Sequence, residues 1–260
     1  MTDSPTTTGD DGEASSLEGD QPETPKRSRS RSFALFLRDV ALILVAAIVI
    51  SFLIKTFLVR SFYIPSPSME NTLMVNDRII VNELVPDVMP IERGDVVVFT
   101  DPGGWLTPEP DTRSDVQKVV ENVLGVVGLA APDSNDHLIK RVIGLPGDEV
   151  SCCNTSGYLR VNGVPIQEPY VNVDPGQDAA DSHFDVTVPT GYLWVEGDNR
   201  YHSADSAYHY ENGDSNVFVP IKNVVGRAVL ISWPVSRWAW LDDYPAVFRN
   251  VEDSDTQGSK

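Results

Sequence analysis

Residues 40–54 read VALILVAAIVISFLI, about fifteen uncharged residues or roughly 22 Å of helix. A run of this kind must lie in a core or in a bilayer, whose hydrocarbon layer is about 30 Å thick. Residues 33–37 and 56–59 lengthen the apolar stretch, and Arg38, Asp39 and Lys55 stand near its ends, where charged side chains can reach the interface. The reading is one transmembrane helix over residues 33–59. Lys26, Arg27, Arg29, Arg31 and Arg38 cluster before it. That asymmetry predicts a cytoplasmic N-terminus, with the chain beyond about residue 60 outside the cell membrane. A cleaved export signal would need small residues in an A-x-A arrangement after the run. KTFLVRSFYIP follows instead, so the segment reads as an uncleaved, single-pass anchor in the lipid bilayer.

Residues 1–32 are Ser, Thr, Asp, Glu, Gly and Pro with almost nothing apolar, and cannot repay the entropy of folding. They read as a disordered cytoplasmic tail. Of the 260 residues 41% are hydrophobic, which permits one sizeable domain over residues 60–250, followed by a polar tail at 251–260. The formal net charge of -18 and the lack of a basic patch argue against nucleic acid as a partner. The only cysteines, Cys152 and Cys153, are adjacent and fit no zinc spacing. Two ordinary thiols and a vicinal disulfide both remain open. His137, His183, His202 and His209 form no HExxH-type spacing, so no metal site is expected, and no organic cofactor is implied.

Beyond the anchor, short β-branched runs separated by turn signals predict a mainly β domain. Residues 78–85, 95–99, 137–145, 183–189, 191–197 and 224–233 all suit strands. Asn162-Gly163 between two strand-like arms predicts a hairpin. One stretch differs: Val116, Val119, Val120, Val123, Leu124 and Val127 follow helical spacing, giving a short inserted helix over residues 114–129 with Ser114 and Gln117 as a capping box. Residues 228–241 are apolar, but Pro234 and Arg237 interrupt them, and no second span is expected.

Three segments can carry chemistry. Ile64-Pro65-Ser66-Pro67-Ser68-Met69 follows the anchor directly and could be a linker alone. Leu138-Ile139-Lys140-Arg141-Val142-Ile143-Gly144-Leu145-Pro146-Gly147-Asp148 places a lysine in an apolar run. Burial there would lower its proton affinity, and a neutral amine is a competent base for a serine hydroxyl. Gly197-Asp198-Asn199-Arg200-Tyr201-His202-Ser203-Ala204-Asp205-Ser206 is dense in hydrogen-bonding groups after a strand.

In this order, behind this anchor, and with Arg93-Gly94-Asp95 opening a valine strand, the segments resemble the type I signal peptidases (leader peptidases) of bacteria. The resemblance covers about residues 60–233. It implies a signal-peptidase-like β fold and a Ser/Lys-dyad serine endopeptidase that cleaves signal peptides from exported pre-proteins after small residues, beside the protein translocation machinery. Ser68 matches the nucleophile and Lys140 the general base. Ser66 matches the oxyanion-hole hydroxyl and Ser203 the lysine-orienting residue. Asp205, supported by Arg141, Arg200 or water, matches a structural carboxylate. Phe62, Ile64, Pro65, Met69, Leu73, Leu138 and Ile139 match the substrate pockets. The chain departs from the family pattern at Pro67, at Glu70-Asn71 and at Ala207, where a basic residue is usual. A cysteine transpeptidase lacks its flanking residues here. A triad built on His202 would need near neighbours in sequence to face one another. A non-catalytic tethered module gives no reason for Ser68, Lys140 and Ser203 to occur together.

Overall fold

The computed structural model describes residues 29–57, 59–106 and 136–252. The helix expected over residues 114–129 lies outside them, as do most of the N-terminal tail and of the C-terminal tail. The chain divides into two units between Ile48 and Val49.

The first helix, α1 (Arg29–Phe57), is 29 residues long. Leu42, Ile43, Val45, Ile48 and Ile50 are all more than half exposed. Among the described residues no helix is long and apolar enough to cross a membrane. Arg38 and Asp39, ion-paired at 3.0 Å, stand before the apolar run of α1.

All else is predominantly β. In chain order the strands are β1 (Val59–Tyr63), β2 (Arg78–Asn82), β3 (Val96–Thr100), β4 (His137–Gly144), β5 (Glu149–Cys152), β6 (Arg160–Val161), β7 (Val164–Pro165), β8 (Phe184–Thr187), β9 (Tyr192–Glu196), β10 (Val219–Pro220), β11 (Val224–Trp233) and β12 (Ala239–Trp240). An eight-stranded sheet runs β1-β2-β11-β3-β4-β9-β10, with β12 on β11, and a four-stranded sheet runs β7-β6-β5-β8. Every pairing is antiparallel. Two short α-helices, α2 (Ser206–Glu211) and α3 (Pro245–Phe248), and 3-10 turns at Arg200–His202, Ile221–Asn223 and Val235–Arg237 complete the described elements.

Strand β3 shows why the larger sheet is stable. Successive side chains of a strand point to opposite faces. Val96 and Val98 join Phe62, Ile64, Ile79 and Ile139 in one cluster. Val97 and Phe99 join Val142, Leu193 and Val195 in another. A continuous apolar run is what a strand covered on both faces requires. The smaller sheet closes over a third cluster that includes Val150, Leu159, Val161 and Phe184.

The hairpin expectation is met at β6–β7, where Asn162 and Gly163 take φ values of 50° and 79°, the left-handed pair of a tight two-residue turn. Cys152 and Cys153 form a vicinal disulfide at the end of β5. The connection from β11 to β12 leaves a patch of large side chains bare: Trp233, Val235, Trp238 and Trp240 are 55%, 71%, 61% and 72% exposed.

Candidate active site

The chain leaves β1 into a turn-rich segment pinned by two fully buried side chains, Met69 and Leu73. Backbone hydrogen bonds from Glu70 N to Pro67 O (3.0 Å) and from Leu73 N to Met69 O (2.7 Å) fold it back on itself. Asn199 ties down its tip: its backbone N–H donates to Ser68 O and its Nδ2 to Pro67 O, both at 3.1 Å. Ser68 is thereby held in a buried position with little side-chain freedom.

Lys140 comes from the middle of β4, in register with Val97 of β3. It is 3% exposed. Its Nζ donates to Ser68 Oγ at 2.9 Å and to the Ile139 carbonyl at 3.0 Å. Burial lowers its pKa to about 8, against the upward pull of the Asp205 and Asp198 carboxylates. An amine of that affinity, bonded to a hydroxyl, can take up the hydroxyl proton near neutral pH. Ser66 Oγ lies 3.3 Å from Ser68 Oγ.

Ser203 is buried, yet its Oγ has no hydrogen-bond partner among the described residues and does not bond Lys140. Gly197 brings the third segment in. A Cβ there would collide with the Ser203 side chain and the Ser68 carbonyl, so only glycine lets the two serine segments approach.

The carboxylates and arginines sort differently from the expectation. Asp205 pairs with neither Arg141 nor Arg200. It caps α2, accepting from Ala207 N (3.1 Å) and Tyr208 N (3.3 Å), while its other oxygen accepts from Gly197 N (2.9 Å). Backbone donors fill the role because Ala207 stands where a basic residue could have reached back. Arg141 instead forms a bidentate pair with Asp198 at 2.8 and 2.7 Å, donates to Gly94 O at 2.7 Å, and stacks 3.9 Å from the Tyr170 ring centre. Arg200 lies between Glu168 (2.6 Å) and Glu196 (3.1 Å). Sequence reasoning missed Asp198, Asn199, Glu168 and Glu196 as site supports. The run Gly197-Asp198-Asn199-Arg200 was a signal for the first two, whereas nothing local marks Glu168.

Of the pocket candidates, Phe62, Ile64, Met69, Leu73 and Ile139 gather in one buried cluster. Leu138, half-buried, packs with the cluster on the other side of the sheet, since it neighbours Ile139 on an alternating strand. Pro65 is exposed.

Residues 37–233 match the family model described as signal peptidase, peptidase S26. The chain is 42% identical over 198 residues to a probable signal peptidase I of Mycobacterium leprae (strain TN), covering 66% of this chain and 67% of that protein. It is 40% identical over 248 residues to signal peptidase I of Mycobacterium tuberculosis (strain ATCC 25618 / H37Rv), covering 88% and 81% respectively. A crystal structure of a signal peptidase I from Enterococcus faecalis V583 aligns with a TM-score of 0.35 at 25% identity, over 53% of this chain and 95% of that one. The family match over residues 37–233 spans Ser68, Lys140 and Ser203, so the chain belongs to the signal peptidases of the peptidase S26 family.

Proposed function

We propose that this protein removes signal peptides from exported pre-proteins, with Ser68 as nucleophile and Lys140 as general base. The observation that carries the reading is the 2.9 Å contact between a buried amine and a buried hydroxyl. Lys140 takes the Ser68 proton as Oγ bonds to the scissile carbonyl carbon. The same amine then gives that proton to the leaving nitrogen as the C–N bond breaks. Water attacks the resulting ester, with Lys140 again as base, and frees Ser68. No metal or cofactor takes part in this scheme. The small-residue preference is assigned to the walls formed by Phe62, Ile64, Met69, Leu73 and Ile139, with Pro65 and Leu138 at their margins. Asp205 and Arg141 support the site separately, one through backbone amides and one through Asp198. Ser203, buried with an unengaged hydroxyl on the side of Gly197 that faces the Ser68 carbonyl, is assigned to orient the amine once substrate excludes water.

The same proposal places the protein at the cell membrane. Residues 33–59 form a single anchor, residues 1–32 lie in the cytoplasm and residues 60–250 act outside, followed by the tail at 251–260. An apolar helix needs a core or a membrane to cover it, and Leu42, Ile43, Val45, Ile48 and Ile50 of α1 are exposed. Exposed Trp233, Trp238 and Trp240 suit the bilayer interface, where tryptophan is enriched. The substrates would be pre-proteins leaving the translocation machinery.

The test is cleavage of a model pre-protein by the intact protein in detergent, with the new N-terminus sequenced. A single cut directly after an A-x-A site is expected; no cut, or a cut elsewhere, overturns the reading. Ser66→Ala should lower kcat by roughly 10²–10³ and leave KM nearly unchanged, because a hydroxyl aimed at the developing oxyanion acts only in the transition state. An effect confined to KM would make Ser66 a substrate-binding residue instead.

A further inference from the structure

A groove of about 380 Å³ opens beside the nucleophile, and Pro67, Glu70, Asp174, Gln177, Asn199 and His202 contribute to its wall. It is distinct from the apolar cluster assigned to small side chains: Phe62, Ile64, Met69, Leu73 and Ile139 do not border it. The two regions meet at Ser68, since Met69 belongs to the cluster while Pro67 and Glu70 border the groove. A peptide cut at Ser68 must extend both ways from that residue. If its acyl part lies over the apolar cluster, its leaving part needs another channel.

The groove is built close to the chemistry. Asn199 in its wall donates to the carbonyls of Pro67 and Ser68, and His202 Nδ1 hydrogen-bonds Asn199 Oδ1 at 3.2 Å. Its charge has one sign. Glu70 and Asp174 supply carboxylates, and among the described residues no lysine or arginine lines it. Asn199 and Gln177 add amide groups that can accept or donate.

We propose that this groove binds the first residues of the mature protein, on the leaving side of the cleaved bond, and selects basic side chains there. The inference rests on Ser68 being the nucleophile. A lysine or arginine entering the groove meets two carboxylates, whereas an acidic side chain meets like charge. The site would thus add to cleavage-site choice a preference that the small-residue pockets cannot express.

The experiment uses the full-length protein in detergent and three pre-proteins that differ only at the second and third positions after the cleaved bond: two lysines, two glutamines or two glutamates. At low salt kcat/KM should fall in that order, by roughly two- to fivefold per step, the scale of partly exposed ion pairs. The differences should shrink as salt screens them. In the variant carrying Glu70→Gln and Asp174→Asn, the lysine-to-glutamate ratio should collapse towards one. Equal rates for the three substrates in the unaltered enzyme, or a ratio unchanged in the double variant, would overturn the proposal. The salt series on the unaltered enzyme reads the same charge term without any substitution. Loss of all cleavage in Ser68→Ala reports on the nucleophile separately, so the groove can fail while the active-site assignment stands.

Discussion

Ser68→Ala and Lys140→Ala are each expected to lower pre-protein cleavage by roughly 10⁴–10⁶, with the double variant no worse than the more damaging single one. The two side chains act as a unit. Without Lys140 the Ser68 hydroxyl keeps its proton at neutral pH and is a poor nucleophile. Without Ser68 the amine has no hydroxyl to deprotonate and no ester can form. The geometry sharpens this expectation, because Lys140 Nζ bonds only Ser68 Oγ and the Ile139 carbonyl among the described residues. Among the described residues no carboxylate or imidazole bonds the Ser68 hydroxyl to take over. Ser68→Ala removes one oxygen from a buried loop whose anchors, Met69 and Leu73, are untouched, so its melting temperature should stay near that of the unaltered protein. Appreciable turnover by either single variant, with the fold intact, would sink the assignment.

The β architecture was legible where side-chain burial is written into the residues. Residues 224–233 form β11 from end to end, because a long β-branched run pairs with β2, β3 and β12 and tolerates two irregularities of register on the β2 side. Asn162-Gly163 was legible because few other pairs accept two left-handed residues in succession. The short strands β5, β10 and β12 were not, since strands of two to four residues carry too little periodicity to stand out. In the site, the resemblance picked out Ser68 and Lys140, and the structure brings them into contact. The partner of Asp205 could not be read. An arginine two positions from a carboxylate in sequence announces itself, but a carboxylate taking backbone amides from Gly197, Ala207 and Tyr208 depends on how α2 starts. The Arg141–Asp198 pair was hidden for the same reason. The two residues are adjacent only because β4 and β9 are neighbours in the sheet, with Arg141 in register with Glu196.

The pH dependence of cleavage should follow the Lys140 amine, which burial brings down to about 8. Below that value the amine is protonated and cannot act as base, so the rate should fall about tenfold per pH unit and level off above it. Lys140→Arg should be inactive throughout, because a guanidinium stays charged at every accessible pH. Stability should move the opposite way to activity when the amine is removed. The folded-state value lies below the unfolded value of 10.5, so between about 8 and 10.5 the unfolded chain binds more protons and stability rises with pH. Below about pH 8 the full cost of burying a charge is present. Lys140→Met keeps most of the length of the side chain and removes that cost. It is therefore expected to stabilise the protein at pH 7, by an amount on the order of 1–3 kcal/mol, while abolishing cleavage. The difference should vanish as pH approaches 10.5, where the unfolded lysine also loses its proton. Denaturant unfolding of both proteins in the same detergent at pH 7 and pH 10 reads it directly. A methionine variant less stable than the parent at pH 7 would mean that the bonds to Ser68 and the Ile139 carbonyl outweigh desolvation. The amine would then be held as a satisfied cation, and the reading of Lys140 as a neutral base would fail.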